Sequence, residues 1–287
     1  MKQKTAQIAN SDLQGDKLYL QRAKEILPYL VRQAKAGQHI FYSDLAQEIG
    51  IPNPRNLNYP LGAIGRALKK LGKTTNQDIP QIQCLVINKN TRLPGEGIGW
   101  FISKSDYKKL TKSQKEQLVN SVLAKIYVFQ KWEWVLQQLQ LKPLVMDIRS
   151  TIENLKNVKG NHGESKFHLD FKNFIANNPT VIGLPDKIIG KTEHKLMSAD
   201  IIDVVFNHDN TEIGVEVKSK ISNDDDILRG IFQCVKYKHL IEAEQKLENK
   251  QPDSRVILAL EGQLPEKLIA VKNILGIEVI DKIKNVK

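Results

Sequence analysis

Apolar residues recur at helical spacing in three segments near the start of the chain. The longest runs from Lys17 to Ala36, and Pro28 within it predicts a kink or a break. A short helix is predicted over residues 44–48 with Ser43 as its N-cap, and a third over about residues 59–71. The pattern therefore predicts three helices before residue 72.

The pattern changes after the third predicted helix. Residues 79–87 show a strand pattern, residues 88–99 contain one proline and three glycines, and residues 100–102 suit a return strand. Three helices followed by a β-hairpin is the order of elements in a winged helix, where one helix enters the DNA major groove. A polar, lysine-rich helical stretch is predicted from Ser105 to about Leu141.

The second half of the chain alternates helices and strands. A helix is predicted over residues 164–176, with an apolar stripe of Phe167, Phe171, Phe174 and Ile175 that Glu164 also shares. The elements predicted after it are strands over 199–206 and 213–218, a helix over 227–243, a strand over 255–260, a helix over 266–274 and a strand over 277–280. This order predicts an α/β (α+β) fold with a central mixed sheet flanked by helices.

Charge divides the 287 residues into two unlike halves. The chain carries 43 Lys and Arg against 32 Asp and Glu, a net charge of +11. Residues 1–158 hold 24 basic and 12 acidic residues, whereas residues 159–287 hold 19 and 20. We therefore predict a basic DNA-recognition domain over 1–158 and a second domain over 159–287. The predicted nucleic-acid contacts are Arg66, Lys69 and Lys70 of the third helix and Lys89 and Arg92 of the hairpin.

Composition also excludes some classes of protein. Two cysteines are too few for a disulfide framework. Residues 1–16 lack the apolar core of a secretory signal, and no apolar run approaches the ~20 residues that span a bilayer. We expect a soluble cytoplasmic protein without membrane contact. The alternatives to DNA binding by the first half are a small α+β domain with solvated lysines and a protein-interaction module.

Two charged residues interrupt an apolar strand of the second half. Because side chains alternate along a strand, Glu216 and Lys218 share one face and the flanking valines share the other. The preceding strand adds Asp200 or Asp203. Two carboxylates and the backbone carbonyl of Val217 suit Mg²⁺, and a lysine suits the charge that develops on a phosphate during hydrolysis. The alternative is a surface strand with a solvated Glu–Lys pair.

The second half resembles the PD-(D/E)xK nuclease superfamily in its restriction-endonuclease-like form. The resemblance rests on an aspartate in one strand, the run Glu216-Val217-Lys218 in the next, and Gln233-x-x-x-Tyr237 on the following helix, which is similar to the RecB-like branch. It covers about residues 160–260. The proline that precedes the metal-binding aspartate in that family is absent here.

The resemblance implies a role for each matching residue. Asp203 and Glu216 would hold the metal and Lys218 would be catalytic. Glu164 would be an accessory acid, while Gln233 and Tyr237 would orient substrate or water. Strand register decides between the two aspartates, and we expect Asp203 because an apolar run follows it directly.

The segment around Cys84 carries a second, fainter resemblance. Ile79-Pro80 leading into Cys84 resembles the DNA-binding domain of alkyltransferase-like proteins. The Pro-Cys-His-Arg run of those proteins is absent, so alkyl transfer is not expected. Cys84 is instead predicted to be a core residue.

These patterns favour a Mg²⁺-dependent DNA endonuclease that also accepts Mn²⁺, with double-stranded DNA as its partner. A restriction or another anti-phage or anti-plasmid role is expected by analogy, with a cognate methyltransferase as a further partner. The resemblance implies a homodimer. The alternative is a non-catalytic DNA-binding regulator or accessory subunit on an inactive nuclease fold. RNA cleavage is less favoured, because no RNA-reading aromatic motif is present.

Overall fold

The computed structural model describes residues 13–103, 106–144, 165–209 and 211–285. The chain divides into two compact units, Met1–Met146 and Asp147–Lys287. This division and the predicted boundary after residue 158 both fall at residues 145–164, outside the described residues. Among the described helices, none combines the length and the apolar composition needed to cross a membrane.

Unit 1 is mainly helical. Its helices are α1 (Leu18–Ala36), α2 (Tyr42–Glu48), α3 (Asn58–Thr75), α4 (Gly99–Ile102), α5 (Lys112–Val128) and α6 (Trp132–Gln138). The apolar faces of α1 and α3 form the centre of its core, and α1 continues through Pro28 without a break. Two short strands, β1 (Ile40–Phe41) and β2 (Val86–Ile87), pair in parallel.

The three predicted helices of unit 1 are present, but the predicted β-hairpin is wrong. Within residues 79–103, all of which are described, residues 82–85 form a 3-10 helix and only β2 is a strand. The expected return strand is α4. Gly99 has a packing role rather than a turn role, because a Cβ there would lie 2.4 Å from the Cβ of Tyr107. The fold of unit 1 therefore does not confirm a winged helix.

Unit 2 is built on a five-stranded mixed sheet. Its strands are β3 (Lys191–Lys195), β4 (Ile201–His208), β5 (Thr211–Lys218), β6 (Ser254–Leu260) and β7 (Glu278–Ile280), and they lie in that order across the sheet. The first three run antiparallel to their neighbours, and β5, β6 and β7 run parallel. This sheet confirms the predicted mixed α/β class. The edge strand β3 was not predicted.

Helices cover both faces of the sheet. They are α7 (Lys166–Asn177), α8 (Asp224–Leu247) and α9 (Glu266–Ile274). Val215 and Val217 of β5 pack in one core with Phe171 of α7, whereas α8 and α9 pack in a second core. Because side chains alternate along β5, Glu216 and Lys218 lie on the face opposite these valines, which is the face covered by α8.

The start of α8 is fixed by a capping box. The Asn223 side chain accepts from the Asp226 amide at 2.9 Å, and the Asp226 carboxylate accepts from the Asn223 amide at 3.3 Å. This arrangement satisfies amides that a helix start leaves without intrahelical partners. The acidic run in the first turn of α8 therefore contributes one carboxylate, that of Asp226, to the cap of the helix.

Candidate active site

The ladder between β4 and β5 ends at the pair Val204 and Val215. Two residues further along β5, the amide of Val217 donates to Asp203 Oδ2 at 2.9 Å. A side chain thus replaces the backbone acceptor that a continuing ladder would supply. The strand β5 remains paired with β6 as far as Lys218, so it keeps its alternation through this region.

Glu216 and Lys218 form the centre of a polar cluster at the end of this ladder. The Nζ of Lys218 donates to Glu216 Oε1 at 2.6 Å and to Gln233 Oε1 at 3.2 Å. Gln233 Nε2 donates to the Tyr237 hydroxyl at 3.4 Å, and that hydroxyl donates to the carbonyl of Ile201 at 2.9 Å. These hydrogen bonds fix the direction of the lysine and tie α8 to the first residue of β4.

His168 of α7 joins the cluster and was not predicted. Its Nε2 lies 3.3 Å from Asp203 Oδ1. Sequence spacing contained a signal for it, because His168 precedes the fully buried Phe171 and Ile175 by three and seven residues and shares their helix face. The stripe predicted from Phe167 was rotated away from this face, since Phe167 is 46% exposed.

The two carboxyl groups of the cluster differ in their readiness to ionise. Burial raises the pKa of Glu216 to about 7, the charge of Asp203 adds to the rise, and Lys218 offsets part of it. Burial also acts to raise the pKa of Asp203, but hydrogen bonds from His168 and the Val217 amide outweigh it and the pKa is lowered. Carboxyl pairs with separated pKa values are typical of sites that carry out acid–base or metal chemistry.

The carboxylate oxygens of this cluster suit a hard divalent cation as ligands. Mg²⁺ is usually bound through one or two carboxylates together with waters and substrate oxygens. Asp203 and Glu216 supply two such groups, and a bound cation would offset both the burial and the Asp203 charge that raise the Glu216 pKa. Across the described ranges, no group of three or more His, Cys, Asp or Glu is arranged to hold an ion. The carboxylate pair would therefore need other oxygens, of which the Val217 carbonyl is the predicted one.

Most of the predicted catalytic residues meet in this cluster. They are Asp203, Glu216, Lys218, Gln233 and Tyr237. Asp200 is not among them, because it pairs with Lys236 at 2.6 Å and with Ser198 at 3.0 Å. Glu164 lies outside the described residues.

The predicted nucleic-acid contacts of unit 1 lie in two places. Arg66 and Lys69 are exposed on α3, and Lys70 beside them is partly exposed. Lys89 and Arg92 lie in the loop after β2, with their cationic groups 5.4 and 4.8 Å from the ring centroid of Phe41. These cation–π contacts hold both cationic groups near one ring.

A cavity of about 370 Å³ lies in unit 1 beside the N-terminal part of α3. Its wall includes Tyr42, Asn58, Gln83 and Phe101. Gln83 is 5% exposed and its Nε2 donates to Gln81 Oε1 at 3.0 Å. Within the part of the chain that the structure describes, its Oε1 has no hydrogen-bond partner. A buried acceptor without a donor carries a desolvation cost.

Comparison of the chain with protein-family models, curated proteins and solved structures finds no match. Function therefore has to follow from the geometry of the site. The PD-(D/E)xK resemblance remains an expectation that rests on the residues of unit 2.

The substitution Glu216→Gln should remove a pH dependence from the stability of unit 2. Because folding raises the pKa of Glu216 from 4.5 to about 7, its favourable contribution is complete below the unfolded value and is lost as the pH rises through the folded value. Without metal, the wild type should therefore lose stability relative to Glu216→Gln between about pH 5 and pH 8.

Hydrogen exchange of β4, β5 and β6 in EDTA, corrected for the pH dependence of intrinsic exchange, measures this difference. Tryptophan fluorescence is unsuitable because Trp100, Trp132 and Trp134 all lie in unit 1. The exposed Glu248→Gln is the matched control and should follow the wild type. Parallel pH profiles for wild type and Glu216→Gln would contradict the raised pKa.

Proposed function

We propose that this chain is a Mg²⁺-dependent endodeoxyribonuclease in which unit 2 hydrolyses the phosphodiester bond and unit 1 binds the DNA. The observation that carries the proposal is the convergence of Asp203, Glu216 and Lys218 where the β4–β5 ladder ends. Two carboxylates for a cation and an ammonium for a phosphate are the groups that this hydrolysis needs. Mn²⁺ should substitute, since carboxylate, carbonyl and water oxygens suit it as well.

The carboxylates have the task of holding the cation, which when bound neutralises phosphate charge and lowers the pKa of the attacking water. Asp203 is kept ionised by His168 and by the Val217 amide. Glu216 becomes fully ionised when a cation replaces its proton. Together with the Val217 carbonyl they would supply oxygen ligands to the cation.

Lys218 acts on the phosphate. Its ammonium donates hydrogen bonds to a non-bridging oxygen and stabilises the charge of the transition state. Gln233 holds this ammonium in place, and Tyr237 holds Gln233. The hydroxyl of Tyr237 bonds to Gln233 and to the Ile201 carbonyl, so its part is to position the glutamine.

Charge supports the assignment of DNA binding to unit 1. Residues 1–158 carry the whole positive excess of the chain, and phosphate neutralisation supplies most of the affinity in non-specific DNA binding. The order of α1, α2 and α3 supports a winged-helix-type reader in which the loop after β2, rather than a hairpin, contacts the DNA backbone. Arg66 and Lys69 on α3 would contact phosphates beside the groove.

The cavity beside Gln83 supports a closer contact with one base. Its volume lies within the roughly 300–1,000 Å³ of small-ligand pockets. An extruded nucleobase would bring an aromatic face for Phe101 and N–H donors for Gln83, whose Oε1 is closed off from solvent in the structure and would be reached after the side chain rotates. Mismatched or damaged bases are the least costly to extrude, so such a unit would favour DNA that contains them.

A separate reader and cutter suits selective cleavage, as in restriction or another anti-phage or anti-plasmid role. This setting, a homodimer and a partner methyltransferase are proposed by analogy alone. The competing proposal is a non-catalytic regulator or accessory subunit that binds DNA with the same surfaces.

Removing the charged groups of the cluster should abolish cleavage. Lys218→Ala, Glu216→Gln and Asp203→Asn should each lower the cleavage rate by about 100-fold or more, because each removes a preorganised charge from the transition state. The measurement is nicking and linearisation of modified and unmodified plasmid in Mg²⁺ or Mn²⁺, with EDTA as the blank.

The matched controls are Glu248→Gln and Lys250→Ala, which break an exposed ion pair of the same length, 2.6 Å, in the same unit. Both should cleave as the wild type does. Equal nicking by wild type and Lys218→Ala would refute the nuclease proposal. Tight DNA binding without cleavage of any substrate would favour the non-catalytic alternative.

Charge reversal on α3 should weaken DNA binding at low salt and flatten its salt dependence. For the double variant Arg66→Glu/Lys69→Glu, the slope of log K against log salt should fall by about 2, since each lost phosphate contact contributes about 0.9. Fluorescence anisotropy over a salt series gives the slope. Lys35→Glu, in the same unit on α1, is the control and should leave it unchanged. An unchanged slope in the double variant would place the DNA elsewhere.

Gln83→Met should separate stability from base recognition. The change removes a buried acceptor that lacks a donor, but it also removes the hydrogen bond from Gln83 Nε2 to Gln81 Oε1, so the two effects oppose each other and the unfolding midpoint of unit 1 should change little. Affinity for a duplex with one mismatch should fall by roughly 2–10-fold, the value of one hydrogen bond, while affinity for the paired duplex is kept. The exposed Gln47→Met is the control. Equal loss on both duplexes would exclude the cavity as a base site.

A further inference from the structure

Gly230 lies inside α8, where a glycine is unfavourable. The helix runs from Asp224 to Leu247, and Gly230 is buried within its second turn. Glycine in a helix interior is less favourable than alanine because it loses more backbone entropy on folding. A specific requirement of the surrounding structure would explain its presence at this position.

The requirement comes from the side chain of Lys218. A Cβ placed on Gly230 would lie 2.9 Å from Lys218 Cε and 3.5 Å from Lys218 Cγ. It would also lie 2.8 Å from Leu258 Cδ1. The aliphatic part of the Lys218 side chain therefore crosses α8 at Gly230, a helix position that carries no side chain.

The same helix face holds the other end of this lysine. Gly230, Gln233 and Tyr237 are spaced by three and four residues, so they form one stripe along α8. Gln233 Oε1 accepts from Lys218 Nζ at 3.2 Å, and Tyr237 supports Gln233. The stripe thus contains a gap for the stem of the lysine and an acceptor for its ammonium.

We infer that Gly230 is a positioning residue that sets where the Lys218 ammonium lies in the proposed active site. The inference rests on the proposed nuclease function for its catalytic consequence. The atoms that an added Cβ would meet within 3.0 Å are side-chain atoms, Leu258 Cδ1 and Lys218 Cε, not backbone. Leu258 is fully buried, whereas the Lys218 side chain is partly exposed, so the lysine stem is the neighbour with more room to move when alanine is introduced.

Close packing of α8 on the sheet is the competing explanation of this glycine. If Gly230 only allowed the helix to approach β6, alanine would lower stability and affect activity through general disorder. If Gly230 acts through Lys218, alanine should lower the cleavage rate with little change in stability. Moving a reacting group by about 1 Å is sufficient to cost about 100-fold in rate.

The test is a double-mutant cycle of Gly230→Ala and Lys218→Ala on the full chain. Gly230→Ala alone should lower kcat on plasmid DNA by about 100-fold with KM little changed, and its unfolding midpoint should stay close to that of the wild type, because the gain in helix propensity offsets the crowding of Leu258. In the Lys218→Ala background, Gly230→Ala should cause no further loss of kcat. Gly262→Ala, whose Cβ would meet nothing within 4 Å, is the control and should behave as wild type.

A stability readout tests the contact without relying on cleavage. Removing the lysine stem removes one of the two close contacts, so Gly230→Ala should raise the unfolding midpoint more in the Lys218→Ala background than in the wild type. A wild type without nuclease activity would refute the proposed function, and this comparison would still test the contact. An active wild type with an equally active Gly230→Ala would refute the inference alone. A further kcat loss in the double variant, or an unfolding midpoint several degrees lower in the single one, would also overturn it.

Discussion

The burial of the Glu216 carboxyl group beside the partly buried carboxylate of Asp203 is the constraint around which the polar cluster of unit 2 is arranged. An unpaired charge in a protein interior is costly, so each oxygen of this pair needs a donor or a proton. His168 and a backbone amide of β5 stabilise one carboxylate, and Lys218 bonds to the other. The ladder between β4 and β5 has to stop beside them, because an amide used by a side chain cannot also bond to a neighbouring strand.

Much of unit 2 was predictable because its chemistry follows strand alternation. A glutamate and a lysine two residues apart, between valines, face the same way in any strand, whatever the rest of the fold. The choice between Asp200 and Asp203 was not fixed by pattern, since it depends on register, which changes with a slip of one residue. His168 was missed because Phe167 was assigned to the buried face of the helix. This assignment placed the predicted apolar face one position away from the observed one. The strand β3 was missed because all five of its residues are polar or charged.

In unit 1, glycine and proline residues were not sufficient to predict a turn. The glycines near residue 97 predicted a turn, but one of them serves close packing against Tyr107, and pattern alone does not distinguish these uses. Cys84 was correctly predicted as a core residue; burial raises the pKa of its thiol to about 12. Under the proposed function, basic side chains on α3 would bind any polyanion, whereas the cavity beside Gln83 would accept one kind of base. Affinity and selectivity would then reside in different parts of the unit.

The hydroxyl of Tyr237 has a consequence for how this sequence can diverge. It joins the helix that carries Gln233 to the strand that carries Asp203, through the carbonyl of Ile201. Substituting either Gln233 or Tyr237 removes the hydrogen bond between them, so the effects of substitutions at these two positions should not be additive. Related sequences in which Lys218 keeps its proposed role would retain both Gln233 and Tyr237. Related sequences that have lost one of these two residues would no longer be constrained to keep the other.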